Sequence, residues 1–325
     1  MKRLFDGNTP ALARIINHIE NNSSEAAFIV KSIYTHTGKA HRVGLTGIPG
    51  VGKSTIIDRL ISAFRKEGKT VGIIAVDPTS PFSGGALLGD RVRMQRHYLD
   101  RGVFIRSMAT RGNLGGLPRG IGEVANAIDA SGKDIILIET VGVGQAELDI
   151  IKNVDTVAVI LAPGLGDSIQ AMKAGLLEVA DIFVINKSDQ PGAEELAADI
   201  NAVVQPLRDK GRWNVPVIVT QAQENQRIDE LTRQIVAHHD YLKDSGGLLE
   251  RRKQQRREYF LQTLEARVKS GLDDIIGEDE RIARVIEDVT EGKLDTYSAA
   301  EKILSCDTLY RNLQLRLTLG NVNPK

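Results

Sequence analysis

Residues 43–55, VGLTGIPGVGKST, decide the fold. The first four predict a short buried β-strand, and the next nine match the phosphate-loop pattern G-x-x-x-x-G-K-[ST], after which a helix is predicted. Backbone N–H groups of such a loop surround phosphate groups, and the N-terminus of the following helix favours negative charge. Nucleotide contacts are therefore predicted for Gly47, Ile48, Pro49, Gly50, Val51, Gly52, Lys53, Ser54 and Thr55. Lys53 is expected to reach the β- and γ-phosphates, and the Ser54 hydroxyl is expected to bind Mg²⁺.

Short aliphatic runs alternate with longer amphipathic stretches between residues 38 and 240. Runs of this kind predict parallel strands that are covered on both faces. The fold class is therefore predicted as α/β, a P-loop domain with a mostly parallel sheet of roughly seven strands flanked by helices. Helical extensions are predicted at both ends, which divides the chain into residues 1–37, 38–240 and 241–325. The predicted strands are 43–46, 71–76, 103–106, 135–138, 156–161, 182–185 and 217–219.

The sequence NKSD at residues 186–189 follows one of these strands. The Asp189 carboxylate can accept hydrogen bonds from N1–H and the exocyclic amine of guanine, and adenine offers neither group there. A pocket built around that acceptor rejects the wrong base because a buried charge would stay unpaired. Asn186, Lys187 and Asp189 are therefore predicted to recognise guanine, with GTP and GDP as the ligands.

Acidic residues end two further strands. Glu139 closes the run IILIE and is predicted to act on Mg²⁺ or on its water shell, although most GTPases have Asp at this position. Asp77 lies at the carboxyl end of a predicted parallel strand, where such folds bind ligands. Asp90 is a weaker candidate for the same metal region, and a loop cap remains open for either Asp. Lys53, Asp77 and Glu139 are the principal catalytic candidates.

The glycine-rich stretch 142–145, GVGQ, is predicted to respond to the γ-phosphate. Gly142 would place a backbone N–H near that group. Gln145 is a further catalytic candidate, but it lies two residues beyond the position of the water-orienting Gln in Ras-like GTPases. Slow hydrolysis that a partner accelerates is the hypothesis that follows.

Composition excludes several other classes of function. Lys plus Arg and Asp plus Glu number 42 each, so the formal net charge is zero and a nucleic-acid or membrane partner is not expected. The single cysteine excludes an internal disulfide framework. No apolar run approaches the roughly 18 residues of a membrane span, and a cytoplasmic location is expected. The basic cluster of Arg251, Arg252, Lys253, Arg256 and Arg257 is interpreted as a solvated helix face or an intersubunit ion-pair surface.

Several longer blocks resemble the MeaB/ArgK/MMAA group of GTPases over nearly the whole chain. They are the phosphate loop and the stretches 76–91, 111–116, 139–145, 163–167 and 186–189. The resemblance implies a Mg-dependent GTPase that serves as a chaperone of an adenosylcobalamin-dependent acyl-CoA mutase, above all methylmalonyl-CoA mutase. Such proteins gate cofactor loading and protect or reactivate the mutase, and they form homodimers through helical extensions.

The resemblance also implies roles for individual residues. Lys53, Ser54, Asp77, Asp90 and Glu139 correspond to phosphate and magnesium positions. Residues 163–173 correspond to an additional switch loop that responds to the mutase. Gln221 and Ala222 correspond to a loop beside guanine.

Two alternatives stay open from the sequence. One is a nucleotide-dependent kinase or a transport-linked ATPase, which would need an acceptor site and no guanine preference. The other is a GTPase that delivers a metal to another metalloenzyme. Such metallochaperones usually carry a His/Cys cluster, whereas this chain has six histidines and one cysteine.

Overall fold

The computed structural model describes residues 1–77, 94–110, 117–118, 120–141, 149–164, 175–205 and 213–305. In this part of the chain a seven-stranded parallel sheet has the order β3-β2-β4-β1-β5-β6-β7. The strands are β1 (His41–Thr46), β2 (Val71–Asp77), β3 (Val103–Ala109), β4 (Ile135–Glu139), β5 (Thr156–Leu161), β6 (Ile182–Ile185) and β7 (Val217–Val219). The predicted α/β class and each predicted strand are confirmed.

The described part of the chain also contains helices of very different lengths. They are α1 (Lys2–Phe5), α2 (Thr9–Glu20), α3 (Ala26–Ile33), α4 (Lys53–Lys66), α5 (Ile121–Ala130), α6 (Leu176–Val179), α7 (Ala193–Val204), α8 (Ile228–Asp244), α9 (Gly247–Glu278), α10 (Glu280–Thr290) and α11 (Thr296–Leu304). Within the described segments, three short 3-10 turns lie at Tyr34–His36, Gln95–His97 and Ile150–Asn153. None of the described helices is both long and apolar enough to cross a membrane.

Side-chain alternation along the strands builds a core on each face of the sheet. The face that α4 covers contains Leu45, Leu137 and Ile160, which are fully buried or nearly so. The opposite face packs against α2, α3 and α5, and Ile138 belongs to it. Because both faces are covered, the strands are apolar along most of their length, as parallel strands in α/β folds usually are.

The chain separates into two compact units, residues 1–252 and residues 253–325, and the boundary falls inside the helix α9. The first unit contains the sheet and α1 to α8. Within the second unit, Ile275 and Ile282 form a small core of their own with Leu272, Ile276 and Ile303 packed against it.

Two arginines at the start of α9 contradict the interpretation of the basic cluster as a solvated or intersubunit surface. Arg252 donates two hydrogen bonds, of 2.8 and 2.7 Å, to the carboxylate of Asp155. Arg251 binds the carboxylate of Asp181 in the same bidentate manner, at 2.8 and 3.0 Å. Asp155 and Asp181 directly precede β5 and β6. The first turn of α9 is therefore held at the amino ends of these strands, whereas Lys253 and the arginines at 256 and 257 are exposed.

Candidate functional site

The phosphate loop joins β1 to α4 at the carboxyl edge of the sheet. Gly47 has φ +143°, and an added Cβ would lie 2.1 Å from the carbonyl oxygen of Ile160 in β5. Gly52 has φ +98°, and a Cβ there would lie 2.4 Å from Nδ2 of Asn186. Both positions combine a left-handed backbone with a close neighbour, so only glycine fits. The loop is thereby packed between the ends of β5 and β6.

Lys53 lies folded across this loop. Its Nζ donates hydrogen bonds to the carbonyl oxygens of Gly47 at 2.8 Å and of Ile48 at 3.3 Å. Only 7% of the residue is exposed. The ammonium group is thus already positioned inside the turn of the backbone, where it can contact bound phosphate oxygens.

Ser54 connects the first turn of α4 to the end of β4. Its hydroxyl donates a hydrogen bond of 2.8 Å to Oε1 of Glu139. Both residues are buried, with exposures of 5% and 3%. A hydroxyl and a carboxylate that meet at the N-terminus of the phosphate helix are hard oxygen donors of the kind that Mg²⁺ prefers.

Asp77 lies on the same face of the sheet as Glu139. The register places Ala75 of β2 opposite Glu139 of β4, and Asp77 is two residues further along β2. Because side chains two residues apart share a face, Asp77 and Glu139 both face the side that α4 covers. Asp77 is also buried, with 4% exposed. This donor set of one hydroxyl and two carboxylates fits Mg²⁺.

Ser107 of β3 lies on the same face of the sheet as Asp77 and Glu139, although none of the sequence motifs includes it. Ser107 is opposite Ala75, so it shares the face of Asp77 and Glu139. Its hydroxyl is buried and has no hydrogen-bond partner among the described residues. The alternation of Val103, Ile105 and Ser107 predicts a common face, but only the register between strands shows which neighbours Ser107 has.

Asn186 organises the predicted guanine side of the site. Its Nδ2 donates a hydrogen bond of 2.8 Å to the carbonyl oxygen of Val51 in the phosphate loop. Its Oδ1 accepts hydrogen bonds from the backbone N–H of Ala222 at 3.1 Å and from the hydroxyl of Thr220 at 3.2 Å. One buried amide therefore joins three segments that are distant in sequence.

Residues 187 to 189 continue from Asn186 at the end of β6. Lys187 has φ +61°, and the backbone N–H of Ser188 donates to the carbonyl oxygen of Thr220 at 3.1 Å. Lys187 is half-buried and Asp189 is exposed at the surface of this edge. Gln221 is half-buried in the adjacent loop, where its carbonyl oxygen accepts from the N–H of Gln226 at 3.1 Å.

The structure therefore brings the phosphate loop, Asp77, Glu139, residues 186–189 and residues 221–222 to one edge of the sheet. Asp90, Gly142, Gln145 and residues 165–173 of the predicted partner loop lie outside the described residues. No cluster of three or more potential metal-binding His, Cys, Asp or Glu side chains occurs in the described segments.

Comparison with known proteins gives a consistent result. Residues 12–274 match the sequence profile of the family described as methylmalonyl Co-A mutase-associated GTPase MeaB. A protein of Pyrococcus abyssi that bears the name of a GTPase is 48% identical over 94% of this chain and 94% of its own. The mitochondrial methylmalonic aciduria type A homolog of Caenorhabditis elegans is 29% identical over 93% of this chain and 81% of its own.

A solved structure supports the same fold. The crystal structure described as LAO/AO transport system kinase is similar with a TM-score of 0.69 and 25% identity, and the match covers 96% of both chains.

Proposed function

The chain belongs to the MeaB family of GTPases, and from that premise we propose that it is a Mg²⁺-dependent chaperone of an adenosylcobalamin-dependent acyl-CoA mutase. The observation that carries the proposal is the family match, which extends from α2 through most of α9 and so includes more than the nucleotide site. The family description names methylmalonyl-CoA mutase, which is therefore the first client to test. The proposed role is to gate cofactor loading and to protect or reactivate the mutase.

The site residues have distinct parts in the proposed GTP hydrolysis. Lys53 exchanges its two carbonyl partners for phosphate oxygens and stabilises negative charge on them. Ser54, Asp77 and Glu139 would hold Mg²⁺, which neutralises charge on the phosphoryl oxygens when it is bound. Asn186 holds the phosphate loop, residues 186–189 and residues 220–222 in fixed positions relative to one another. Asp90 and Gln145 remain predictions for the metal and for catalysis.

The end of β5 supports a link between the nucleotide and a partner loop. The phosphate loop packs closely on β5 at Gly47, where an added Cβ would lie 2.1 Å from the carbonyl oxygen of Ile160. Pro163 and Gly164 follow β5, three and four residues beyond Ile160. We propose that residues 163–173, which begin there, respond to the bound nucleotide and to the mutase.

The decisive experiment measures GTP turnover by the purified protein, alone and with an equimolar adenosylcobalamin-dependent methylmalonyl-CoA mutase of the same organism. We expect slow turnover alone and at least about tenfold faster turnover with the mutase, because a partner can complete a site that is incomplete by itself. Lys53→Ala should abolish turnover in both cases.

Controls separate this proposal from the alternatives. ATP replaces GTP in a parallel series, and equal turnover of the two would favour a kinase or a transport-linked ATPase. GTP hydrolysis that the mutase leaves unchanged would contradict the proposed client while leaving the GTPase itself in place. An unrelated acyl-CoA-binding protein serves as the control for nonspecific stimulation.

A further inference from the structure

The side chain of Arg59 joins the phosphate-binding helix to the loop that follows β7. Arg59 lies in the second turn of α4, which begins at Lys53. Its Nε donates a hydrogen bond of 2.9 Å to the carbonyl oxygen of Ala222, and its Nη2 donates one of 2.5 Å to the carbonyl oxygen of Gln223. Because a guanidinium group is planar and rigid, these two bonds orient two consecutive peptide groups together.

The loop that Arg59 holds is tied to the guanine side of the site from within. The backbone N–H of Thr220 donates to the carbonyl oxygen of Ile185 at 2.7 Å, and that of Ala222 donates to Oδ1 of Asn186 at 3.1 Å. These bonds attach the beginning of the loop to β6 and to Asn186. These bonds do not by themselves determine the orientation of the peptide groups that follow Ala222.

The same loop has an unfavourable backbone conformation that needs support. Asn225 and Arg227 have φ values of 58° and 56°, in the left-handed region. Residues other than glycine adopt this region much less readily, because their Cβ comes close to the following carbonyl oxygen. Local hydrogen bonds close the turn, from Asn225 N–H to the carbonyl oxygen of Ala222 at 3.2 Å and from Gln226 N–H to that of Gln221 at 3.1 Å. Arg59 adds hydrogen bonds from α4 to the carbonyl oxygens of Ala222 and Gln223 in this loop.

Peptide orientation in this loop has a direct consequence for base recognition. Guanine presents an acceptor, O6, at the position where adenine presents an amino group. A neighbouring peptide therefore favours guanine with its N–H and disfavours it with its carbonyl oxygen. In a trans peptide these two groups point in opposite directions. Holding the carbonyl oxygens of Ala222 and Gln223 at Arg59 keeps them from turning toward a base.

We propose that Arg59 is a positioning residue for guanine selectivity, which acts by holding the loop 221–226 against the phosphate-binding helix. The inference rests on the proposed guanine site at Asn186, Lys187 and Asp189. Among the described residues Arg59 makes no ion pair with a carboxylate, and the two hydrogen bonds of its guanidinium both go to this loop. The contact also connects α4, which begins with Lys53, to the loop 221–226. The segments proposed to bind phosphate and base are therefore held together by the side chain of Arg59.

The test measures the affinity of Arg59→Ala for GDP and for ADP by displacement of a fluorescent GDP analogue in Mg²⁺ buffer. We expect the ratio of GDP to ADP affinity to fall about tenfold, with ADP affinity unchanged within about twofold, because the phosphate contacts remain. Arg59→Lys should restore part of the ratio, since an ammonium group can bind one of the two carbonyl oxygens.

Arg65→Ala is the matched control. Arg65 lies on the same helix, but it pairs with Asp100 at 2.8 Å and with the carbonyl oxygen of Lys69 at 2.7 Å. Arg65→Ala should keep the wild-type ratio of GDP to ADP affinity. Thermal unfolding of both variants shows whether either one has lost its fold.

Each contrary outcome has a distinct meaning. A parallel fall of GDP and ADP affinity in Arg59→Ala would overturn the proposal, since Arg59 would then act through the phosphate-binding helix. An unchanged ratio in that variant, with a selective wild type, would overturn the role of Arg59 alone. A wild type without preference for GDP would overturn the guanine site and this role with it.

Discussion

At the scale of single residues, Ser107 offers a test of the magnesium site. We expect Ser107→Ala to raise the Mg²⁺ concentration needed for half-maximal GTP binding by about three- to tenfold, which corresponds to the roughly 0.5–1.5 kcal/mol of one hydrogen bond. The reason is that its buried hydroxyl lies on the face of Asp77 and Glu139 and can stabilise the water shell of the ion. Binding of a fluorescent GTP analogue, titrated with Mg²⁺, measures the effect.

Ser62→Ala is the control for this measurement. Ser62 lies on α4, and its hydroxyl donates to the carbonyl oxygen of Asp58 at 3.1 Å within the same helix. The Ser62→Ala variant should bind GTP with the same dependence on Mg²⁺ concentration as the wild type. If Ser107→Ala has that same dependence, the hydroxyl of Ser107 plays no part in the metal site.

How far the site could be predicted depends on how local its residues are. Lys53 and Ser54 belong to one continuous motif, so the sequence alone identifies them. Glu139 could be predicted because it ends an apolar run. Ser107 and Arg59 could not, because their significance comes from the register between strands and from a contact between a helix and a distant loop, and neither leaves a pattern in the nearby sequence.

At the scale of elements, a buried group of polar side chains anchors α8 and the start of α9 to the amino ends of the strands. The rings of His41 and His239 stack with centroids 4.0 Å apart. His41 and His238 both hydrogen-bond the hydroxyl of Thr156, at 2.8 Å each. Burial raises the pKa of Asp181, but hydrogen bonds from His238 and Arg251 outweigh it and lower that pKa to about 2.

The two stacked histidines make stability depend on pH. Burial, reinforced by the charge of Lys243, lowers the pKa of His239 to about 4, and burial together with His239 lowers the pKa of His41 well below 6.5. Asp155 opposes both shifts and Arg252 adds to both. Because the unfolded chain binds these protons more readily, stability is complete above about pH 6.5 and falls as the pH drops toward 4.

We expect the free energy of unfolding of the first unit to fall by about 1–2 kcal/mol between pH 7 and pH 5 through His239. Urea unfolding followed by the fluorescence of Trp213 measures it, since this single tryptophan lies 4.8 Å from the ring of His238. His239→Gln should have a shallower pH dependence, whereas His36→Gln, at an exposed position, should keep the wild-type dependence. Equal pH dependence in all three proteins would contradict this explanation.

The elements themselves were more predictable than their lengths and contacts. The strands follow from continuous apolar runs, and the phosphate-binding helix follows from its motif. The spacing of apolar residues predicts a helix over 248–270 and a further one near 272–287, whereas α9 continues to residue 278. Gly271, the one residue between these two predicted segments, does not interrupt α9, because a glycine inside a long helix costs only about 1 kcal/mol relative to alanine.

At the scale of the whole molecule, the family resemblance implies a homodimer, and α9 carries a surface that fits one. Large apolar side chains are exposed along this helix within the second unit, at Tyr259, Phe260, Leu261, Leu264 and Val268. Phe260, Leu264 and Val268 recur every four residues and so share one side of the helix. Phe260 alone is 63% exposed. We propose that a second copy of the chain covers this stripe.

The mass of the protein in solution tests that proposal. We expect light scattering after size exclusion to give about twice the 35.5 kDa of one chain for the wild type at micromolar concentration. Phe260→Glu should shift the population to single chains, because burial of a large apolar side chain contributes about 1.5–3 kcal/mol and a buried unpaired carboxylate opposes association. Gln262→Glu, which adds the same charge on the opposite side of α9, should remain dimeric.

A wild type with the mass of one chain, or a Phe260→Glu variant that stays dimeric, would contradict the role of this stripe. In either case the exposed side chains would need a different partner, and the mutase is the first to test because the proposed function requires a surface for it.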